Sequence, residues 1–176
     1  GDHVLVAARQ IGRGKGSGLE TELRYALLYR VEDGKISSMT FLNTGRANVE
    51  IVQSGFSALA RGDFESFFSV LDDGVEWVNP PYAVEPGTRR GTAEFREALD
   101  RMRASFGGIR LKVDEVVEAG ETVVVVTGSW TGEGTGSGVR LENRFSSVLT
   151  LRNGKVVRYE WFREKAEALE AVGLRE

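Results

Sequence analysis

The sequence predicts an α+β fold: a curved antiparallel sheet wrapped around helices in the order α-α-β-α-β-β-β-β, preceded by an extra three-stranded antiparallel meander. Three observations carry this. Apolar residues recur at helical spacing through 49–71 and again through 92–106. They alternate with period two through much of 109–162, where glycine turns cut the chain into strands. Residues 1–42 carry the same strand-and-turn pattern with no helix ahead of it. Helices followed by a long meander settle on one face of a sheet, which is the α+β arrangement.

Each element has a local reason. Residues 3–11 are rich in Val, Leu and Ala and read as a strand, and Gly12 to Gly18 as a turn. Residues 19–31 alternate, with Leu23, Tyr25, Leu27 and Tyr29 on one face and Glu22, Arg24 and Arg30 on the other. Asp33-Gly34 is a hairpin signal, and Lys35 to Leu42 closes the meander. Asn48 is an expected helix N-cap before Val49, Val52, Phe56 and Leu59, with Gly62 as the stop. Asp63 caps a short helix carrying Phe64, Phe67, Phe68 and Leu71. Val75 to Asn79 is a strand ended by Pro80-Pro81, and a loop runs to Gly91. Thr92 caps a helix with Phe95, Leu99, Met102 and Phe106 on one face, ended by Gly107-Gly108. Strands follow near 109–118, 121–131, 139–151 and 155–162, then a short helix from Glu164 to Val172.

Composition narrows the function classes. The chain has 176 residues, of which 41 % are hydrophobic and 28 % charged, an ordinary globular balance. The formal net charge of −3 gives no basic footprint, so nucleic acid is not an expected partner. No apolar run approaches the ~20 residues of a membrane-spanning helix. Cysteine is absent, which excludes disulfides, thiolate catalysis and cysteine-zinc sites. The single histidine, His3, leaves no Ser-His-Asp triad or multi-histidine metal site, so neither metal nor cofactor is expected. With no signal-peptide pattern after Gly1, a cytoplasmic location is expected. The excess of Arg and Gly over Lys suits a GC-rich bacterial gene.

The chain also resembles itself. Gly16-Ser17-Gly18 recurs as Gly136-Ser137-Gly138, and an offset of 120 carries Glu22 onto Glu142, Arg24 onto Arg144 and Gly34-Lys35 onto Gly154-Lys155. Upstream, Gly1 to Ala7 matches Gly120 to Val126 at an offset of 119, which implies a one-residue slip. Residues 1–44 are therefore read as a partial repeat and residues 45–176 as one complete domain. The two glycine loops lack the Gly-Lys-Ser/Thr run into a helix that a phosphate loop needs, and are hairpin turns.

The order of elements in 45–176 goes with particular motifs: Ala60-Arg61-Gly62-Asp63, Val75-Glu76-Trp77, Arg90-Gly91, Arg152-Asn153-Gly154-Lys155-Val156 and Glu167-Ala168-Leu169-Glu170. With these the segment resembles the SnoaL-like branch of the nuclear transport factor 2-like superfamily, and residues 1–42 resemble the back half of the same domain. The resemblance implies a cone with an apolar interior that takes a small apolar molecule. It also implies a range of activities, among them polyketide cyclases, ketosteroid isomerases, epoxide hydrolases and dehydratases. The isomerase groups fall at Gly55, Asn79 and Ser147, and none carries the required side chain. The epoxide-hydrolase pattern keeps an asparagine at Asn79 and a carboxylate at Glu160. It has Trp77 for the tyrosine, and Thr127 and Ser129 for the arginine and the second carboxylate.

Glu160 shares a strand face with Arg158 and Phe162, and the resemblance places that face inside the cone. A carboxylate in an apolar pocket can move a proton. Alternatively Glu160 pairs with Arg158 or Arg144, or reaches solvent at the rim. The expected catalytic pair is Glu160 with Asn79, the latter holding a water or a carbonyl. The expected substrate-binding residues are Trp77, Tyr82, Phe95, Met102, Ser129, Asn143, Phe145 and Ser147. On strand parity Trp130 and Trp161 fall on the outer face, where another sheet would cover them, so a homodimer through the sheet or the N-terminal meander is expected. Glu142 and Arg144, which recur as Glu22 and Arg24, read as an outer-face charge pair.

Three readings stay open on these grounds: a cofactor-independent proton-transfer enzyme, a non-catalytic module that binds an apolar ligand, and an association scaffold. The apolar face of the meander must be buried by the second domain, by another chain through exchange, or by a front half that this chain lacks.

Overall fold

The computed structural model describes residues 2–13, 20–83 and 85–174. The first glycine loop and the side chains of Glu22, Leu23 and Arg24 lie outside the described residues and side chains. Three strands come first: β1 (Asp2–Arg13), β2 (Glu20–Glu32) and β3 (Lys35–Asn43). Helices α1 (Thr44–Ala60) and α2 (Phe64–Ser69), strands β4 (Leu71–Asn79) and β5 (Gly87–Arg90) and helix α3 (Gly91–Ser105) follow. The chain ends with β6 (Phe106–Glu118), β7 (Val123–Gly134), β8 (Arg140–Arg152), β9 (Lys155–Phe162) and α4 (Lys165–Ala171).

The first three strands form their own antiparallel sheet, in the order β1-β2-β3. The other six form a second sheet in the order β5-β4-β9-β8-β7-β6. Its one parallel pair is β4 with β9, so the sheet is mixed rather than purely antiparallel. Helices α1, α2 and α3 pack on its inner face, around Val52, Phe56, Phe67, Phe95, Val124 and Leu149. Helix α4 covers the outer face, setting Ala168 and Leu169 against Val125 and Val148. The α+β cone predicted for this segment is present.

Several boundaries differ from the sequence reading. Helix α1 begins four residues before Asn48, so Asn48 is inside the helix rather than its cap. Asn48 is buried, and its Nδ2 donates to the Glu121 carbonyl at 2.8 Å, tying α1 to the turn before β7. Tertiary bonding, not capping, explains this asparagine. Asp63 caps α2 as expected, its Oδ1 accepting from Ser66 N at 3.1 Å. Helix α3 starts at Gly91, where φ is +80°, and the Glu94 carboxylate accepts from the Arg90 amide at 2.8 Å in place of a cap from Thr92. The expected loop before it contains the short edge strand β5, paired with β4.

The two sheets share a detailed geometry. In the first, Val4 pairs with Tyr29 and Val6 with Leu27. Residues 120 further on pair the same way, Val124 with Leu149 and Val126 with Ser147. Leu27 with Phe41 and Tyr29 with Met39 likewise correspond to Ser147 with Trp161 and Leu149 with Tyr159. The register shifts also correspond, at Arg30/Val31 and Thr150/Leu151. So do the turns: Asp33 and Gly34 have φ of 51° and 72°, Asn153 and Gly154 of 52° and 75°. One offset of 120 serves all three strands, and the slip expected in the first is not observed. A run of valines could not fix that alignment, whereas the hydrogen-bonded ladder does.

Candidate functional site

The inner face of the second sheet and the helices over it enclose a cavity of about 500 Å³. That is an ordinary size for a small-molecule site. Strand β4 supplies Trp77 and Asn79, two residues apart and therefore on one face. The Trp77 ring stacks on Phe95 of α3 with centroids 4.3 Å apart. Phe56 of α1 lies parallel to Phe145 of β8 at 6.1 Å and to Tyr159 of β9 at 6.2 Å. Trp130 of β7 and Trp161 of β9 complete the aromatic wall, so all three tryptophans of the chain line this cavity.

Among the described residues that line it, two buried side-chain atoms have no hydrogen-bond partner, Trp77 Nε1 and Asn79 Oδ1. An indole N–H is a donor only and an amide oxygen an acceptor only. The other end of the Asn79 amide is occupied, its Nδ2 donating to the Glu85 carbonyl at 2.8 Å. Glu85 organises the β4–β5 loop. Arg89 donates to its carbonyl at 2.9 Å and to its carboxylate at 2.6 Å, and Arg101 of α3 reaches the same carboxylate at 3.2 Å. The Arg101 hydrogen bond is the largest of the effects holding Glu85 below the usual carboxylate range. It is the only acidic side chain among the described residues that line the cavity, and it stays ionised. Arg103, Arg144 and Arg163 also line it, so the walls carry an excess of positive charge.

Beneath the floor, Ser147 Oγ donates to the Tyr159 hydroxyl at 3.1 Å. Burial is the cause that pushes the Tyr159 phenol up to about 12, the serine bond opposing it. At the mouth, half-exposed Tyr82 donates to Glu167 of α4 at 3.1 Å and lies 5.9 Å from the Trp161 ring. Arg163 stands over the Tyr82 ring at 4.7 Å. Burial, then the Glu167 bond, raises the Tyr82 phenol above its ordinary value.

Of the site residues read from the sequence, Asn79, Trp77, Tyr82, Phe95, Met102, Asn143 and Phe145 line this cavity together. Glu160, Ser129 and Ser147 do not. On β9 it is Tyr159 and Trp161 that face inward, which places Arg158 and Glu160 on the outer face. There Arg158 grips Glu160 in a two-pronged bond of 2.8 and 3.0 Å and reaches Glu76 of β4 at 2.7 Å. Arg90 joins the cluster at 3.1 Å from Glu76. The expectation that Glu160 faces the cone interior is corrected: its carboxylate is held by Arg158 behind the cavity wall. Ser129 is paired with Arg144 across the strands, next to the inward pair Trp130 and Asn143. Ser147 lies under the wall with no exposed surface. The outward placement of Trp130 and Trp161 is likewise corrected, and with it goes the argument that a partner sheet must cover them.

Sequence reasoning missed Trp130, Trp161, Glu85 and Arg103. The tryptophans had a signal. Asn143 and Phe145 were read as inward, and Trp130 stands opposite Asn143 in the ladder. In Arg158-Tyr159-Glu160-Trp161 the aromatic residues, not the charged ones, are the natural inward set. Glu85 sits in a loop that carried no pattern.

Residues 52–159 match the family described as the SnoaL-like domain. Among solved structures, TerC co-crystallised with polyporic acid is 27 % identical, with a TM-score of 0.60, over 72 % of this chain and 98 % of that one. An NTF2-like protein of unknown function from Burkholderia pseudomallei K96243 is 25 % identical, also with a TM-score of 0.60, over 72 % and 97 %. Bal32a, from a soil-derived mobile gene cassette, shares the fold at 21 % identity and a TM-score of 0.64, over 74 % and 98 %. No curated protein matches the chain.

Proposed function

The chain belongs to the SnoaL-like domain family, and from that premise we propose that its cone binds a flat aromatic organic acid. The observation that carries the reading is the cavity itself. It offers about 500 Å³ walled by aromatic rings, and two of its lining residues hold buried unpaired atoms, Trp77 Nε1 and Asn79 Oδ1. A ligand hydroxyl would accept from the indole and donate to the amide. Two buried groups that now lack partners would thereby gain them, each such omission costing about 1–3 kcal/mol. Arg103, held to Asp100 at 3.3 Å, with Arg144 and Arg163 against Glu85 leaves the described lining net positive, which favours an anionic ligand over a cationic one. TerC, co-crystallised with polyporic acid, supports this chemical class.

Binding is favoured over proton transfer by the state of the one cavity carboxylate. A general base needs a pKa near the working pH, and Glu85 is displaced the other way by its two arginines. Asn79, proposed from the sequence as a partner in catalysis, becomes the polar anchor of the ligand. Trp77, Phe95, Met102 and Phe145 supply contact area, and Tyr82 and Asn143 border the mouth.

The test is a titration with polyporic acid read by intrinsic tryptophan fluorescence. Since all three tryptophans line the cavity, occupancy should quench the emission saturably at one ligand per chain. By calorimetry, Met102→Trp fills the cavity and should weaken binding about tenfold or more, which is ~1.4 kcal/mol. Glu160→Gln, behind the wall, should leave the affinity unchanged. Binding undisturbed by Met102→Trp, or absence of saturable quenching, would refute the reading.

A further inference from the structure

The N-terminal sheet has one covered face and one bare one. Leu5, Ala26 and Leu28 pack on Ala47 in the first turn of α1. The opposite face presents Val4, Val6, Ile36, Met39 and Phe41, which account for five of the nine large hydrophobic residues exposed among those described. The offset of 120 says what this face is. Val4, Val6, Ile36 and Met39 stand where Val124, Val126, Val156 and Tyr159 stand in the second sheet. The former are 41–63 % exposed and the latter 0–9 %. In the second sheet that face is the inside of the cone, covered by α1, α2 and α3.

The covered faces correspond as well. Leu5 and Leu28 occupy the places of Val125 and Val148, which α4 covers with Ala168 and Leu169. The start of α1 thus does for the first sheet what α4 does for the second. Strand, strand, strand and outer helix are all present, and what the first sheet lacks is the inner helical layer with its flanking strands. Its two edges agree. The free edge of β3 corresponds to the edge of β9 that takes β4, and the free edge of β1 to the edge of β7 that takes β6. Bare edges and a bare apolar face on one small sheet are both unfavourable in water.

We propose that this face is a docking surface for the front half of a second SnoaL-like unit. The occupant is a helix-helix-strand-helix-strand segment patterned like residues 44–119. Such a segment would lead into β1 as β6 leads into β7, through a short turn. Two helices would lie across Leu27, Tyr29 and Met39, and a strand would pair with each free edge. The stacked rings of Tyr25 and Phe41, 5.0 Å apart, would become part of a second aromatic wall, as Phe145 and Trp161 are of the first. A second copy laid face to face on the same residues is the competing occupant. It would leave both sheet edges open, which is why the geometry favours the front half.

The test uses the absence of cysteine. Met39→Cys places a unique thiol on the bare face, and Thr40→Cys places one on the other side of the same strand. Each is made in the 176-residue chain and in a chain with a copy of residues 44–120 joined ahead of residue 1, and maleimide labelling rates are compared. In the extended chain the thiol at 39 should react at least about tenfold more slowly, while the thiol at 40 keeps its rate. Circular dichroism of the extended chain should gain the helical signal of three further helices. Equal rates at position 39 in both chains would overturn the proposal, as would an extension that adds no helix. Protection at position 39 already present in the 176-residue chain and growing with its concentration would assign the face to a second copy, and would also overturn it.

Discussion

In alkali the phenol of Tyr159 makes the fold less stable. It is buried in the cavity wall, and burial lifts its pKa from 10.0 to about 12. Below pH 10 the group is protonated whether the chain is folded or not, and it contributes no pH dependence. Between pH 10 and 12 the unfolded chain releases this proton and the folded chain keeps it. The unfolded state then binds fewer protons, so stability falls as pH rises. Two pH units at about 1.4 kcal/mol each set the scale, and with the folded group half ionised at pH 12 the loss there is roughly 2 kcal/mol. Tyr159→Phe removes that loss. At neutral pH it leaves the Ser147 hydroxyl buried without its partner, a cost of about 1 kcal/mol or a little more. Urea unfolding of both proteins from pH 7 to pH 12 checks this. The difference between the two curves cancels the other tyrosines and the lysines. The variant should be the less stable at pH 7 and the more stable at pH 12, with the crossing between pH 10 and 12. Parallel curves would refute the reasoning, because they would mean that Tyr159 ionises in the folded state as freely as in the unfolded one.

Two further outcomes are expected. A Cβ at Gly128 would stand 2.2 Å from the Lys112 carbonyl and 2.9 Å from the Phe145 ring, so Gly128→Ala should destabilise by about 3 kcal/mol, read as a fall in melting temperature. An unchanged melting temperature would show that β6 can withdraw from β7 at that point. Arg158→Ala leaves Glu76 and Glu160 on neighbouring strands without their shared cation, and for partly exposed groups the cost should be about 1 kcal/mol by denaturant unfolding. It should be smaller still in 1 M salt, where like charges are screened.

The order of helices and strands was legible because each boundary has a local cause: Asp63 at the start of α2, Asp33-Gly34 and Asn153-Gly154 at hairpins, and period-two runs between them. What was not legible depended on relations between strands. The parity of β9 was read from a resemblance at Glu160, although the alternation of Tyr159 and Trp161 with Arg158 and Glu160 points the other way. Only the ladder, with Trp77 beside Tyr159, settles which set faces in. The Glu85 cluster joins a loop residue to Arg89 on β5 and to Arg101 on α3; the four-residue spacing to Arg89 lies outside any helix, and no spacing rule reaches Arg101 sixteen residues on. Seven of the ten site residues nonetheless meet in one cavity, because inward positions of β4 and β8 and one face of α3 follow from periodicity alone.

Helix α1 has a mechanical meaning of its own. Its first turn packs on the N-terminal sheet through Ala47, and Phe56, nine residues on, is part of the cavity wall. At 1.5 Å per residue those two points are about 14 Å apart on one unbroken rod. The Asn48 amide fixes the rod to the Glu121 carbonyl next to its first point, which makes a fulcrum. The N-terminal sheet and the cavity wall are therefore joined by one continuous element, so a force on the sheet would be carried to Phe56 through helix and not through a linker.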